Sequence, residues 1–102
     1  MTTYIQTVHS KALAGREAEY QEWYLTIHIP ELLSLPGFVS ADLHRMIAPV
    51  GAPAEFLCIY RIETADIAAM QATMVAAGAS TAPSPAMDLF STRVELFEGA
   101  LA

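Results

Sequence analysis

Cations are scarce in this chain. Five basic residues (Lys11, Arg16, Arg45, Arg61 and Arg93) stand against eleven acidic ones, and the formal net charge is -6. The five are scattered, with no cluster among them. A nucleic-acid partner needs a basic footprint to neutralise phosphates, and an anionic membrane surface repels a negative chain, so neither partner is expected. Cysteine is scarcer still. Cys58 is alone, which excludes an internal disulfide, and its apolar run predicts a reduced thiol packed in a core. The paired Cys and His spacings of zinc sites are missing, and His9, His28 and His44 lie too far apart to ligate from one element, so no metal is expected. No stretch approaches ~18 consecutive apolar residues, so no membrane-spanning helix is expected. Met1 to Ser10 lacks the basic and apolar regions of a signal peptide, and the expected location is cytoplasmic. There is no glycine-rich phosphate loop and no nucleophile elbow, which argues against nucleotide-dependent and serine-hydrolase chemistry.

What is present is apolar. Residues of that kind make up 54% of the chain and charged ones only 16%, where a typical domain carries about 25% charge. The 102 residues are enough for one domain, residues 1–102, and a domain this small has much surface for its volume. The excess therefore predicts a covering partner: a second copy of the chain, a bound apolar ligand, or both.

The pattern along the chain orders that material. Tyr4 to His9 is rich in β-branched and aromatic residues and reads as a strand. Arg16 to about Ile27 has helical spacing, with Tyr20, Trp23, Tyr24 and Ile27 on one face. Pro30 suits the first turn of a new short helix over Glu31 to Leu35, so a break is predicted near His28. Pro36-Gly37 is a turn, Phe38 to Ile47 a strand, and Ala48 to Ala54 a flexible connection. Phe56 to Ile62 is the strongest strand, apolar on both parities, so both of its faces should be covered. Thr64 or Asp66 can cap a helix that carries Ile67, Met70 and Met74 and ends near Gly78. A loop over Ala79 to Pro85 leads to a last strand, Arg93 to Glu98. The order is that of the ferredoxin-like βαββαβ arrangement, an α+β fold with a four-stranded antiparallel sheet and two helices on one face. The opposite face, bare and largely apolar, predicts a homodimer through facing sheets.

The stretch Trp23-Tyr24-Leu25-Thr26-Ile27-His28-Ile29-Pro30-Glu31-Leu32-Leu33-Ser34-Leu35-Pro36-Gly37-Phe38 resembles the W-Y-x-x-x-H-x-P-x-L-L-x-x-P-G-F segment of the EthD-like group in the dimeric α/β-barrel superfamily. Leu57 to Glu63 resembles the aliphatic strand that follows there, and the likeness covers about residues 3 to 98. It implies two ferredoxin-like subunits whose sheets close into a barrel. That superfamily holds cofactor-free isomerases, aromatic polyketide cyclases, and heme-degrading and quinone-forming monooxygenases, so fold alone does not select a reaction.

His28 leads the candidate residues, as an imidazole at a helix break able to move a proton near neutral pH. Tyr20, Tyr24 and His28 are four apart and share one side of a regular helix. Tyr24 and Tyr60 are candidate phenols for holding an oxyanion or carbonyl. Tyr20 and Trp23 are candidate pocket lining. Asp42 and His44, two apart on a strand, point to one face with Phe38 and Met46 and form a candidate acid-imidazole pair. His9 is a further candidate, because some members of the resembled superfamily use a histidine of the first strand. The expected activity is that of a cofactor-independent lyase, isomerase or cyclase acting by acid-base chemistry on a small apolar, oxygen-bearing aromatic or lactone-like catabolite. The alternatives are a monooxygenase or heme-handling member of the same superfamily, and a non-enzymatic binding or assembly module.

Overall fold

Alternation of side chains along four strands decides which residues meet the helices and which meet the outside. The computed structural model describes residues 1–47, 54–80 and 83–101. Its elements are β1 (Thr2–Lys11), α1 (Glu17–Trp23), a π-helical turn (Tyr24–His28), α2 (Ile29–Leu33), β2 (Phe38–Arg45), β3 (Glu55–Thr64), α3 (Ile67–Ser80) and β4 (Arg93–Glu98). The sheet is antiparallel in the order β2-β3-β1-β4, the ferredoxin-like order read from the sequence. The connection expected over Ala48 to Ala54 lies, Ala54 apart, outside the described residues.

The even positions of β3 are the centre of the core. Phe56, Cys58, Tyr60 and Ile62 are all buried, and they pair across with Ser10, Val8, Gln6 and Tyr4 of β1. Tyr20, Tyr24 and Ile29 of the helical segment and Met70 of α3 cover this face. Asp66 caps α3 by accepting the Ala69 N–H at 3.0 Å. The helix then runs on through Ser80 rather than ending at Gly78. Gly37 adopts φ +92°, and a Cβ there would run into the Met70 methyl and lie 3.0 Å from the Glu63 carbonyl oxygen, so the turn into β2 requires glycine.

Two sequence expectations are corrected. The helix does not break at His28. His28 and Ile29 keep right-handed helical dihedrals, and the Ile29 N–H bonds to the Tyr24 carbonyl five residues back. A proline ring collides with the carbonyl four residues before it in a regular helix. Here that carbonyl belongs to Thr26, inside the widened turn, so the chain absorbs Pro30 by a π turn instead of stopping.

The second correction concerns β2. A bulge at Val39 shifts the register, so that Phe38 pairs with Ile62 but Ser40 with Arg61. One extra residue reverses the parity beyond it. Phe38 therefore joins the core, while Asp42 and His44 stand on the other side of the sheet opposite Ile59 and Leu57. That outer face also carries Ile5, Thr7, His9, Glu95 and Phe97 by register. Its apolar part is incompletely covered: Phe97 is 51% exposed.

Candidate active site

The helical segment is built so that its aromatic rings interlock over β1 and β3. Tyr20 packs edge-on against Tyr24 (5.6 Å) and Phe56 (5.3 Å). Tyr24 in turn meets the edge of His28 at 5.0 Å. The π turn adds a contact that a regular helix forbids. At 3.6 residues per turn, positions five apart point about 140° away from each other. Across the widened turn Trp23 and His28 stack instead, with ring centres 4.8 Å apart and planes 15° from parallel.

These residues form one wall of a cavity of about 630 Å3, within the usual range for small-molecule sites, about 300–1,000 Å3. The sheet contributes Gln6, Val8, Ser10 and Val94. The helical segment contributes Tyr20, Trp23, Tyr24 and His28, and Glu31 and Leu35 follow it. Met74 and Ala77 of α3 form the far side. The lining is mostly apolar and aromatic, with a few polar groups. Among the described residues no Lys or Arg borders it, and Glu31 is the one side-chain carboxylate that does.

Electrostatics follow from burial. The imidazole of His28 is held below its ordinary range because burial disfavours the cation, with Glu31 pulling weakly the other way. It is therefore neutral near pH 7. Burial pushes the Tyr24 and Tyr60 phenols well above their ordinary range, so both keep their protons. The Tyr60 hydroxyl donates to the Tyr24 hydroxyl at 3.3 Å. Ser10 Oγ and the Tyr20 hydroxyl share a hydrogen bond of 2.6 Å. The Cys58 thiol is buried and pushed upward by burial, as a packed core thiol should be.

The sequence candidates divide between the two sides of the sheet. Tyr20, Trp23, Tyr24 and His28 come together at the cavity. Tyr60 does not line it; it is wholly buried, and its hydroxyl meets that of Tyr24, which does. His9, Asp42 and His44 are not part of this site. Strand parity puts His9 on the outer face, 3.8 Å from Glu95, and the bulge at Val39 sends Asp42 and His44 there too. Among the described residues no group of three His, Cys, Asp or Glu is arranged to hold a metal. Gln6, Ser10 and Glu31 also line the cavity, and motif reasoning does not single them out. For the first two a signal exists: they are polar residues on the same strand parity as Tyr4 and Val8.

No family model and no curated protein sequence matches the chain. Solved structures do. The heme-degrader MhuD of Mycobacterium tuberculosis superposes with a TM-score of 0.62 at 19% identity, over 97% of each chain. A candidate antibiotic biosynthesis monooxygenase of Bordetella bronchiseptica gives 0.64 at 18% identity, over 99% of this chain and 100% of that one. An EthD family protein of Bacillus halodurans gives 0.60 at 13%, over 94% and 98%. These likenesses show the fold: the chain shares the ferredoxin-like fold of these proteins, the fold its 23–38 segment implied. They also correct the expected activity. The similar structures include a heme degrader and a candidate monooxygenase, which favour the oxidative alternative over the lyase, isomerase or cyclase first expected. Among the described residues no helix is long and apolar enough to cross a membrane.

The Ser10–Tyr20 pair gives a direct test of the geometry. Both residues are only 1% exposed, so Ser10→Ala leaves a buried phenol without a partner and should destabilise the fold by about 1–3 kcal/mol. Removing both hydroxyls (Ser10→Ala with Tyr20→Phe) should recover part of that loss, as read by urea unfolding.

Proposed function

We propose that this protein is a monooxygenase that oxidises a small, electron-rich aromatic molecule with molecular oxygen in the cavity beside His28. The observation that carries the reading is a neutral imidazole stacked on Trp23 in the wall of an apolar, aromatic-lined cavity. A neutral imidazole accepts a proton, and an apolar cavity suits a flat ring.

The chemistry needs little more from the protein. His28 takes the proton of a phenolic or enolic hydroxyl. The resulting anion gives electrons to O2 and a ring carbon bonds to one oxygen atom; the O–O bond and the C–H bond of that carbon then break, and the other oxygen leaves as water with that hydrogen and the proton that His28 held. Phenol plus O2 yields quinone plus water, so the ring itself supplies all four electrons. Tyr24 presents its ring to the cavity while its hydroxyl receives that of Tyr60, which makes Tyr60 a positioning residue. Asp42, His44 and His9 have no part in this reaction.

The heme alternative is supported by the similarity to a heme degrader, and His28 is a chemically suitable ligand for iron. The remaining lining does not match the group. The heme propionates are anions, and the cavity offers them no Lys or Arg and one carboxylate, Glu31. No step is therefore assigned to heme.

The outer sheet face is proposed as a homodimer interface. Ile5, Leu57, Ile59 and Phe97 supply its apolar centre, and a facing sheet would cover them. The location proposed is the cytoplasm, where the single thiol stays reduced.

Oxygen uptake with a panel of phenols and naphthols should reveal turnover, and His28→Ala should lower kcat/KM by about 10²–10⁴-fold. An unchanged rate in a folded variant removes His28 from the mechanism. Sedimentation equilibrium at micromolar concentration should give twice the 11.0 kDa chain mass; a monomer rules out the sheet-to-sheet dimer.

A further inference from the structure

Gln6 is out of place by ordinary packing rules. It sits mid-way along β1 between Tyr4 and Val8, on the helix side of the sheet, and is only 8% exposed. Its carboxamide carries two N–H donors and an acceptor oxygen, yet it makes no hydrogen bond within the described residues. No buried side-chain polar atom among them is sealed off without a partner, so the amide is not locked in packed protein. It faces the cavity that it lines. A leucine would fill this strand position at no polar cost, whereas a buried amide must be satisfied by water or by a ligand.

The amide and the imidazole line the same cavity from different elements. Gln6 is the cross-strand partner of Tyr60. The Tyr60 hydroxyl reaches Tyr24, and the Tyr24 ring touches His28. Gln6 on the sheet wall and His28 on the helical wall thus border one cavity, linked behind its lining by Tyr60 and Tyr24. The charge of the lining completes the picture. All five cations of the chain lie elsewhere, and Glu31 is at the cavity wall. A carboxylated ligand would lose hydration there without a counter-ion, and Glu31, exposed where it lines the cavity, adds like charge.

We propose that Gln6 determines specificity: its carboxamide holds a carbonyl or hydroxyl oxygen of an uncharged, flat ligand, and the cavity turns carboxylated ligands away. The proposal rests on the reading that this cavity takes an oxygenated aromatic, and it adds which members of that class enter.

Equilibrium dialysis with three tricyclic probes tests it without turnover: xanthone (neutral, with a carbonyl), xanthene (no carbonyl) and xanthone-4-carboxylate (anionic). The native protein should bind xanthone about tenfold or more tighter than xanthene, because an analogue lacking the oxygen leaves the amide unpaired. Gln6→Leu should abolish that difference by weakening xanthone alone. The carboxylate should bind the native protein least, and Glu31→Gln should narrow its gap to xanthone. Equal native affinities for xanthone and xanthene overturn the proposal even if no variant folds. Equal weakening of both by Gln6→Leu, or a carboxylate that binds as tightly as xanthone, also overturns it. Oxygen uptake reports on the reaction and dialysis on the ligand, so either reading can fail while the other stands.

Discussion

The site depends on one hydrogen bond that a regular helix does not make, from the Ile29 N–H to the Tyr24 carbonyl. It widens one turn and lets Pro30 stay within a helical path. It also brings Trp23 over His28, two residues that ordinary helical geometry would point apart. The imidazole is then flanked by an indole face and a phenol edge. His28 is one of the residues that line the cavity. Burial disfavours the cation, which suits a group that must accept a proton.

The sheet separates two kinds of work. Its inner face supplies the core through Phe56, Cys58, Tyr60 and Ile62, and a cavity floor through Gln6, Val8 and Ser10. Its outer face carries charge around a partly covered apolar centre. The bulge at Val39 sharpens this division, because it returns Phe38 to the core while leaving Asp42 and His44 outside. Acid-imidazole pairs that look catalytic in a strand can therefore belong to a surface on the far side of a sheet from the chemistry.

Much of this is legible in the sequence alone. Period-two strands, the helical aromatic stripe and the 23–38 segment are sufficient for the fold, because each depends on local pattern. Tyr20, Trp23, Tyr24 and His28 stand out for the same reason: they lie on one continuous helical segment, between positions 20 and 28. Sequence reasoning fails where a single residue changes a phase. Pro30 reads as a helix break because a π turn has no sequence signature beyond the proline itself. The parity of Asp42 and His44 runs through a bulge that strand alternation does not announce. Gln6 escapes notice because a lone glutamine in a strand is unremarkable until its neighbours are known to be buried. The reaction class is least legible, since one fold and one histidine serve both proton transfer and oxidation.

The central claim is that His28, stacked on Trp23 and buried in the cavity wall, is neutral and ready to accept a proton. The most direct measurement is an NMR titration of the His28 imidazole carbon-bound protons from pH 8 to pH 4. The expected midpoint lies below the ordinary histidine value of 6.5. A midpoint at or above that value would contradict the claim, because burial among the rings would then not disfavour the cation.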